Sequence, residues 1–462
     1  MEWLRFRFEK VRRRLRRVPA LCVLVGCLAC TVHPNRGASP YQKPDHFLNV
    51  VYTRGGALRA DRNIWTPEDQ IAEFGKDPTQ TLVIHFHGGL VTEAAALQEA
   101  DDLGLSCYGD PDLKVFPLFL LWDSGWPNTL NEMTSDVLNP SGQRALNLFV
   151  QKIAGSMEQG KVPSILRLAA TIAEIQNDAE YRRDLSNEKG HHTPNILRAD
   201  WLMEHMGELQ GFADWMTTAP YPWVPLGPRA ACFEFLTRLI AKDGWDRMKA
   251  DGARLCEIGG PIDRIVAAIN RQVPPQSHIV LVGHSAGCFL IDLFLQRAHA
   301  LMPTRKFDVV WMAPAISYRR VAANMDVYRQ SVLHFKEFNL DAKREMSNHM
   351  LSDIGQYRSD AFPGSLLLYV SGALEGRPDT PIVGLERFQG HPRQWTPSEG
   401  TAIDSVMRVL NLGVNTYVSA PGSTDCTALR HGDFIEDPAT QQTLHRLLTE
   451  WKDPASPDGL LP

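Results

Sequence analysis

The chain has 462 residues and a formal charge of −5, from 48 Lys and Arg against 53 Asp and Glu. Hydrophobic residues make up 44% and charged residues 22%, which excludes a disordered polymer, a collagen and a coiled coil. No apolar run reaches the roughly 18 residues of a membrane-spanning helix, and the length suits one large or two unequal domains.

The charge is unevenly spread. The first 26 residues hold eight basic and two acidic residues, a net of +6, which leaves −11 on the rest. A basic total would favour nucleic acid, but a basic leader on an acidic body does not. The basic run precedes a short apolar stretch, Val18–Cys30, in the order of a secretory signal. Within it, Leu24-Val25-Gly26-Cys27 resembles a bacterial lipobox. The resemblance implies that residues 1–26 are a removed signal peptide and that Cys27 carries a lipid. The protein is then exported and anchored to the cell envelope, with the membrane surface as a partner. Leu28 rather than Asp after the cysteine implies the outer membrane; a periplasmic or secreted protein is the alternative. Residues 27–48, with Pro34, Pro40 and Pro44, read as an extended tether.

Short apolar runs that end in Gly, Pro or Ser follow. Asn49–Thr53 reads as an opening strand. Thr81–Phe86 ends at His87-Gly88-Gly89, and Val115–Trp122 ends at Asp123-Ser124-Gly125. Pro117 in the latter removes a ladder donor and weakens that reading. About 150 residues without a strand-like run come next. They hold helical spacings at Leu146, Phe149, Val150 and Ile153, and at Ile165, Leu168, Ala169 and Ile172, with Trp201, Trp215, Trp223 and Trp245. A parallel crossover needs only about a dozen residues, so 127–277 is expected to be a mostly helical insertion capping the carboxyl ends of the strands. Pro261 then opens a helix with Ile262, Ile265, Val266 and Ile269 on one face.

Four further runs read as strands: His278–Val282, Asp308–Met312, Leu366–Val370 and Val414–Ala420. A last helix is expected over Ala439–Trp451, with Asp437 as cap and Pro438 in its first turn. Strands alternating with helices predict an α/β fold with a mostly parallel central sheet. The core is then 49–126 and 278–462, with the insertion between strands 4 and 5.

One motif carries chemistry. Gly283-His284-Ser285-Ala286-Gly287 is G-x-S-x-G, placed between an apolar strand and the apolar helix Cys288–Leu295. A serine on a sharp strand-to-helix turn is lifted clear of the sheet, and flanking glycines avoid clashes there. A serine hydroxyl needs a base, and the base a carboxylate to orient it. Five cysteines beyond the tether (Cys107, Cys232, Cys256, Cys288, Cys426) form no C-x-x-C pair, so a zinc ribbon is not expected. His85 and His87 lack the further ligands of a metal site, and no metal or cofactor is implied.

The motif in this context resembles the α/β-hydrolase fold, whose catalytic residues follow the order Ser, acid, His. The resemblance covers about residues 49–126 and 278–451. It implies Ser285 as nucleophile and His431, in the loop before the last helix, as base. It places the acid after the strand before the last, hence Glu375 following Leu366–Val370, with Asp379 as the alternative. His87-Gly88-Gly89 resembles the oxyanion loop of lipases and esterases. Gly89 (or Gly88) and Ala286 would then supply the oxyanion amides. The implied activity is cleavage of a small-molecule or lipid carboxylic ester. Acyl transfer, amidase or peptidase chemistry, and a binding lipoprotein without turnover are the rival readings.

Overall fold

The computed structural model describes residues 49–123, 141–153, 165–187, 227–348, 364–389 and 397–453, apart from scattered single positions. The signal segment with Cys27, the tether, Ser124, Trp201, Trp215 and Trp223 lie outside the described residues.

Eight strands form one sheet in the order β2-β1-β4-β3-β5-β6-β7-β8. They are β1 (Val50–Arg54), β2 (Ala57–Leu58), β3 (Thr81–Phe86), β4 (Val115–Asp123), β5 (Ile279–His284), β6 (Phe307–Met312), β7 (Val332–Leu340) and β8 (Thr416–Ser419). β1 and β2 make an antiparallel hairpin, and the other strand pairings of the sheet are parallel. A parallel sheet is covered by helices on both faces, so its strands read as unbroken apolar runs. β3, β5 and β6 are buried at every residue.

Six helices frame the argument: α1 (Pro67–Gly75), α2 (Glu93–Ser106), α3 (Gly227–Leu255), α4 (Pro261–Gln272), α5 (Gly287–Leu301) and α6 (Pro438–Glu450). Two neighbouring residues of β3 separate the faces. Phe86 packs edge-on against Phe294 of α5, with ring centroids 6.0 Å apart. His85 instead bonds Glu99 of α2 at 3.2 Å. Side chains alternate along a strand, so α5 and α2 lie on opposite faces. α1 and α4 pack on the α5 side. α6 joins α2, where His445 bonds Asp110 at 2.8 Å. In α4, Pro261 opens the helix, and Ile262, Ile265, Val266 and Ile269 are fully buried. Each such burial is worth about 1.5–3 kcal/mol.

α5 is tied down by a buried charge. Asp292 is inaccessible to solvent. It accepts from Arg320 Nε at 2.7 Å, Asn324 Nδ2 at 3.1 Å and Tyr328 Oη at 3.2 Å. Burial pushes its carboxyl above the usual range, and these donors oppose that.

The strand expected over Val115–Trp122 is present, one expected strand is corrected, and one strand was not foreseen. Pro117 does stand inside β4, where it pairs with Val83 of β3. Phe119 donates its N–H to Asn49 on the β1 side, and the β1 register opens at Val50–Phe119. Pro117, two residues earlier, turns the same way before that register begins, so no β1 pairing is lost there.

Leu366–Val370 is not a strand. It is a short α-helix, Leu366–Tyr369, continued as a π-helix over Val370–Leu374. Ser365 caps it, accepting from Leu368 N at 3.3 Å. A short run of continuously buried apolar residues does not distinguish strand from buried helix.

The strand before the last is β7, which the sequence hides. Its His334, Lys336, Glu337 and Asn339 interrupt the apolar pattern, and all are buried. Long-range partners hold three of them: His334 bonds Asp308 at 2.9 Å, Lys336 bonds Asn415 at 3.3 Å, and Thr416 donates to Glu337 at 3.2 Å, while Asn339 donates to its neighbour Glu337 at 2.8 Å.

Candidate active site

Ser285 stands on the turn between β5 and α5, at the carboxyl end of the sheet. Its φ is +53°, the left-handed region that a side chain seldom occupies. The turn is held by backbone bonds: Ser285 N donates to Met312 O at 2.8 Å, and Ser285 O accepts from Ala315 N at 3.0 Å. Both motif glycines answer to close approach. A Cβ on Gly283 would lie 2.7 Å from Ile291 Cδ1, and one on Gly287 would enter the Phe86 carbonyl.

His431 lies in the loop between β8 and α6. Asp433 accepts from the backbone amides of Leu429 and Arg430 at 3.2 and 2.9 Å and shapes that loop. Asp437 caps α6 as expected, accepting from Thr440 N at 2.9 Å. His431 Nε2 is 2.9 Å from Ser285 Oγ. Two residues 146 positions apart thus meet as a hydroxyl and an imidazole nitrogen. With the serine as donor, Nε2 accepts and Nδ1 carries the proton. Burial, and then the neighbouring His284, hold the His431 imidazole well below its ordinary value. The ring is therefore neutral near pH 7 and free to accept a proton.

The loop after β3 reaches the same place. A Cβ on Gly88 would lie 3.4 Å from Ser285 Cβ, and one on Gly89 would lie 3.0 Å from Ala286 Cβ and 2.9 Å from Met248 Sδ of α3. His87 braces this loop. Its Nδ1 bonds Gly88 O at 2.6 Å, and its Nε2 accepts from Trp122 N at 3.1 Å. The Trp122 indole returns a bond to His87 O at 3.1 Å. With both ring nitrogens engaged in this way, His87 is the neutral Nδ1–H tautomer, and its burial favours that state. His85 divides its ring between Tyr108 Oη at 3.3 Å and Glu99 Oε1 at 3.2 Å. Those bonds occupy the nitrogens that a metal would need. Among the described residues no group of three or more potential ligands converges.

Neither candidate acid reaches His431. Glu375 accepts from Trp245 Nε1 at 2.8 Å and Lys249 Nζ at 3.1 Å, both on α3. Asp379 pairs with Arg387 at 2.7 Å. Asp341, directly after β7, caps the helix Ala342–Ser347 through Arg344 N at 2.6 Å. His431 Nδ1 is buried and finds no hydrogen-bond partner among the described residues.

Two residues of the site escaped the sequence reading. His284, the middle of the motif, donates from Nε2 to His431 O at 2.9 Å, and its ring lies 5.1 Å from the His431 ring, tilted by 34°. Glu99 is the carboxylate that faces these histidines, with its side chain 9% exposed. Burial raises its carboxyl, but the bond from His85 and the nearby His87 and His284 outweigh this and bring it below the ordinary value. A signal for Glu99 existed: it occupies the helix stripe of Ala96 and Leu103, where an apolar residue is expected.

Compared with known proteins, the chain matches no family model, no curated sequence and no solved structure.

Proposed function

We propose that the protein is a serine hydrolase of α/β-hydrolase type that cleaves carboxylic esters through an acyl-enzyme. The observation that carries this reading is the 2.9 Å contact between Ser285 Oγ and His431 Nε2, made by a serine held at φ +53°. Left-handed backbone at a non-glycine residue is strain, and strain of this kind collects at reacting centres.

The reaction follows from the positions. Ser285 Oγ attacks the ester carbonyl carbon while its proton passes to His431 Nε2. The carbonyl oxygen becomes an oxyanion, for which the Gly89 and Ala286 amides are the candidate donors. The tetrahedral centre collapses, the C–O bond to the alcohol breaks, and His431 returns the proton to the leaving alkoxide. Water, deprotonated by His431, then attacks the acyl group on Oγ. The acid leaves, and the serine regains its proton. The low proton affinity of His431 suits this cycle, since the ring is a base at neutral pH and a strong acid once charged.

A fluorophosphonate probe tests the reading. The full chain should be labelled and Ser285→Ala should not, and a short-chain 4-nitrophenyl ester should be turned over only by the former. A folded chain that takes no label would overturn the proposal. We also propose the envelope anchor, resting on Leu24–Cys27. An alkyne fatty acid fed to expressing cells should label the chain, and Cys27→Ser should abolish that label.

A further inference from the structure

We propose that His284 is the positioning residue for His431, fixing the base through its backbone carbonyl in place of a carboxylate on its ring. The inference rests on the reading of Ser285 and His431 as nucleophile and base.

Three observations carry it. First, no described carboxylate bonds His431, and the three best-placed ones, Glu375, Asp379 and Asp341, are engaged elsewhere. The loop therefore needs another means of holding the ring against Ser285. Second, His284 has that geometry. It donates to the carbonyl of His431 at 2.9 Å and lays its own ring 5.1 Å from the imidazole. The bond sets the peptide, and the packed ring limits how far the base swings. Third, His284 touches both halves of the site. A Cβ on Gly88 would lie 3.1 Å from His284 Nδ1, so one imidazole fills the space between the glycine loop and the base loop. His284 is itself the last residue of β5, paired with Met312 of β6 and buried. Its position is thus inherited from the sheet.

The charged and titratable surroundings agree. His85 approaches from β3, His87 from the loop after it, Glu99 from α2, and Arg430 and Asp433 lie on the base loop. Burial lowers the affinity of His284 for a proton, and Glu99 opposes this. A neutral His284 with its proton on Nε2 is the form that can donate to the His431 carbonyl.

The test uses the full chain, a fluorophosphonate and 4-nitrophenyl butyrate, with rates measured across pH. His284→Ala and His284→Asn should lower kcat about 100-fold, the lower range of general-base catalysis, with KM within about threefold. Glutamine carries an N–H donor at a reach similar to Nε2, so His284→Gln should recover to within about 10-fold of the native rate, a cost near one neutral hydrogen bond. The acid limb of probe labelling should move upward in pH in His284→Ala. Losing the ring removes a neighbouring histidine and admits water, so the imidazolium of His431 is penalised less and the base is lost at higher pH.

Labelling of His284→Ala at the native rate would overturn the proposal. So would a His284→Gln as slow as His284→Ala with the acid limb unmoved, because that pattern marks lost packing alone. If circular dichroism shows His284→Ala unfolded, the Gln and Asn pair decides. Absence of label on the native chain would instead overturn the Ser285–His431 reading, and this inference with it.

Discussion

The two ends of the sheet hold the same kinds of side chain in opposite states. At the carboxyl end, Ser285 and His431 meet without a described carboxylate, on a strained turn. At the amino end, Asp308 binds two histidines, His278 at 2.5 Å and His334 at 2.9 Å, and among the described residues the only hydroxyl it reaches through them is that of Thr81, on regular strand backbone. Thr81 Oγ1 meets the other nitrogen of His278 at 3.1 Å, and His334 stacks on Trp451 with ring centroids 5.6 Å apart. The amino-end cluster ties β5, β6 and β7 to the residue that ends α6. Composition alone would rank the histidine–aspartate end as the more catalytic. The strained backbone of Ser285 points to the other, since each end leaves one buried ring nitrogen, His334 Nε2 or His431 Nδ1, without a hydrogen-bond partner among the described residues.

This contrast can be broken experimentally. The largest effect is expected at His431. His431→Ala should cut kcat by about 10⁴-fold or more, as loss of a base from a serine centre does, while the urea midpoint changes little. At the other end the pattern should invert. Asp308→Ala should leave kcat/KM within about twofold and cost about 3 kcal/mol in urea unfolding, because the buried His334 and the half-buried His278 both lose their acceptor. A large kinetic defect in that variant would erase the distinction between the ends.

Glu375 sharpens the comparison further. Its oxygen is bonded by Trp245 and Lys249, so Glu375→Gln should keep kcat within about 10-fold. A drop of about 10⁴-fold would return it to the role of orienting acid.

A pH-dependent effect lies between the ends. Burial holds the Glu337 carboxyl at about 8, against an ordinary value of 4.5. The folded protein therefore binds a proton there that the unfolded chain releases. Its contribution is complete below 4.5 and is lost as pH rises toward about 8. Urea midpoints should fall over that window in the native chain, and Glu337→Gln should flatten the fall. The buried histidines act in the other direction. His87, His284 and His431 all sit below 6.5, so their contribution is present above that value and is lost as pH falls.

Legibility in the sequence divided along physical lines. β3, β4, β5 and β6 were readable because both faces are covered and every residue is apolar or nearly so. Ser285 was readable because its turn demands glycines two residues to either side. His431 was readable from its place before a helix with a clear cap and proline. β7 was not, because the partners of its buried His334, Lys336 and Glu337 lie on β6, on β8 and at Asn415, which no local window contains. Leu366–Leu374 misled for the converse reason: its apolar run is helical, packed against α3. The acid assignment depended on that strand, and Glu375 and Asp379 bond other partners than His431; His284 was invisible because its partner lies 147 positions away.

The contact at Gly287 has one more consequence. α5 begins so close to the end of β3 that a single methyl group would strike the Phe86 carbonyl. The spacing between the serine turn and the glycine loop is therefore a hard stop of main chain on main chain, without adjustable side chains. On the proposed reading, substitutions elsewhere can reshape what the site admits and leave this gap as it is. Tolerance for changing substrates and precision at the reacting atoms are thus assigned to different parts of the chain.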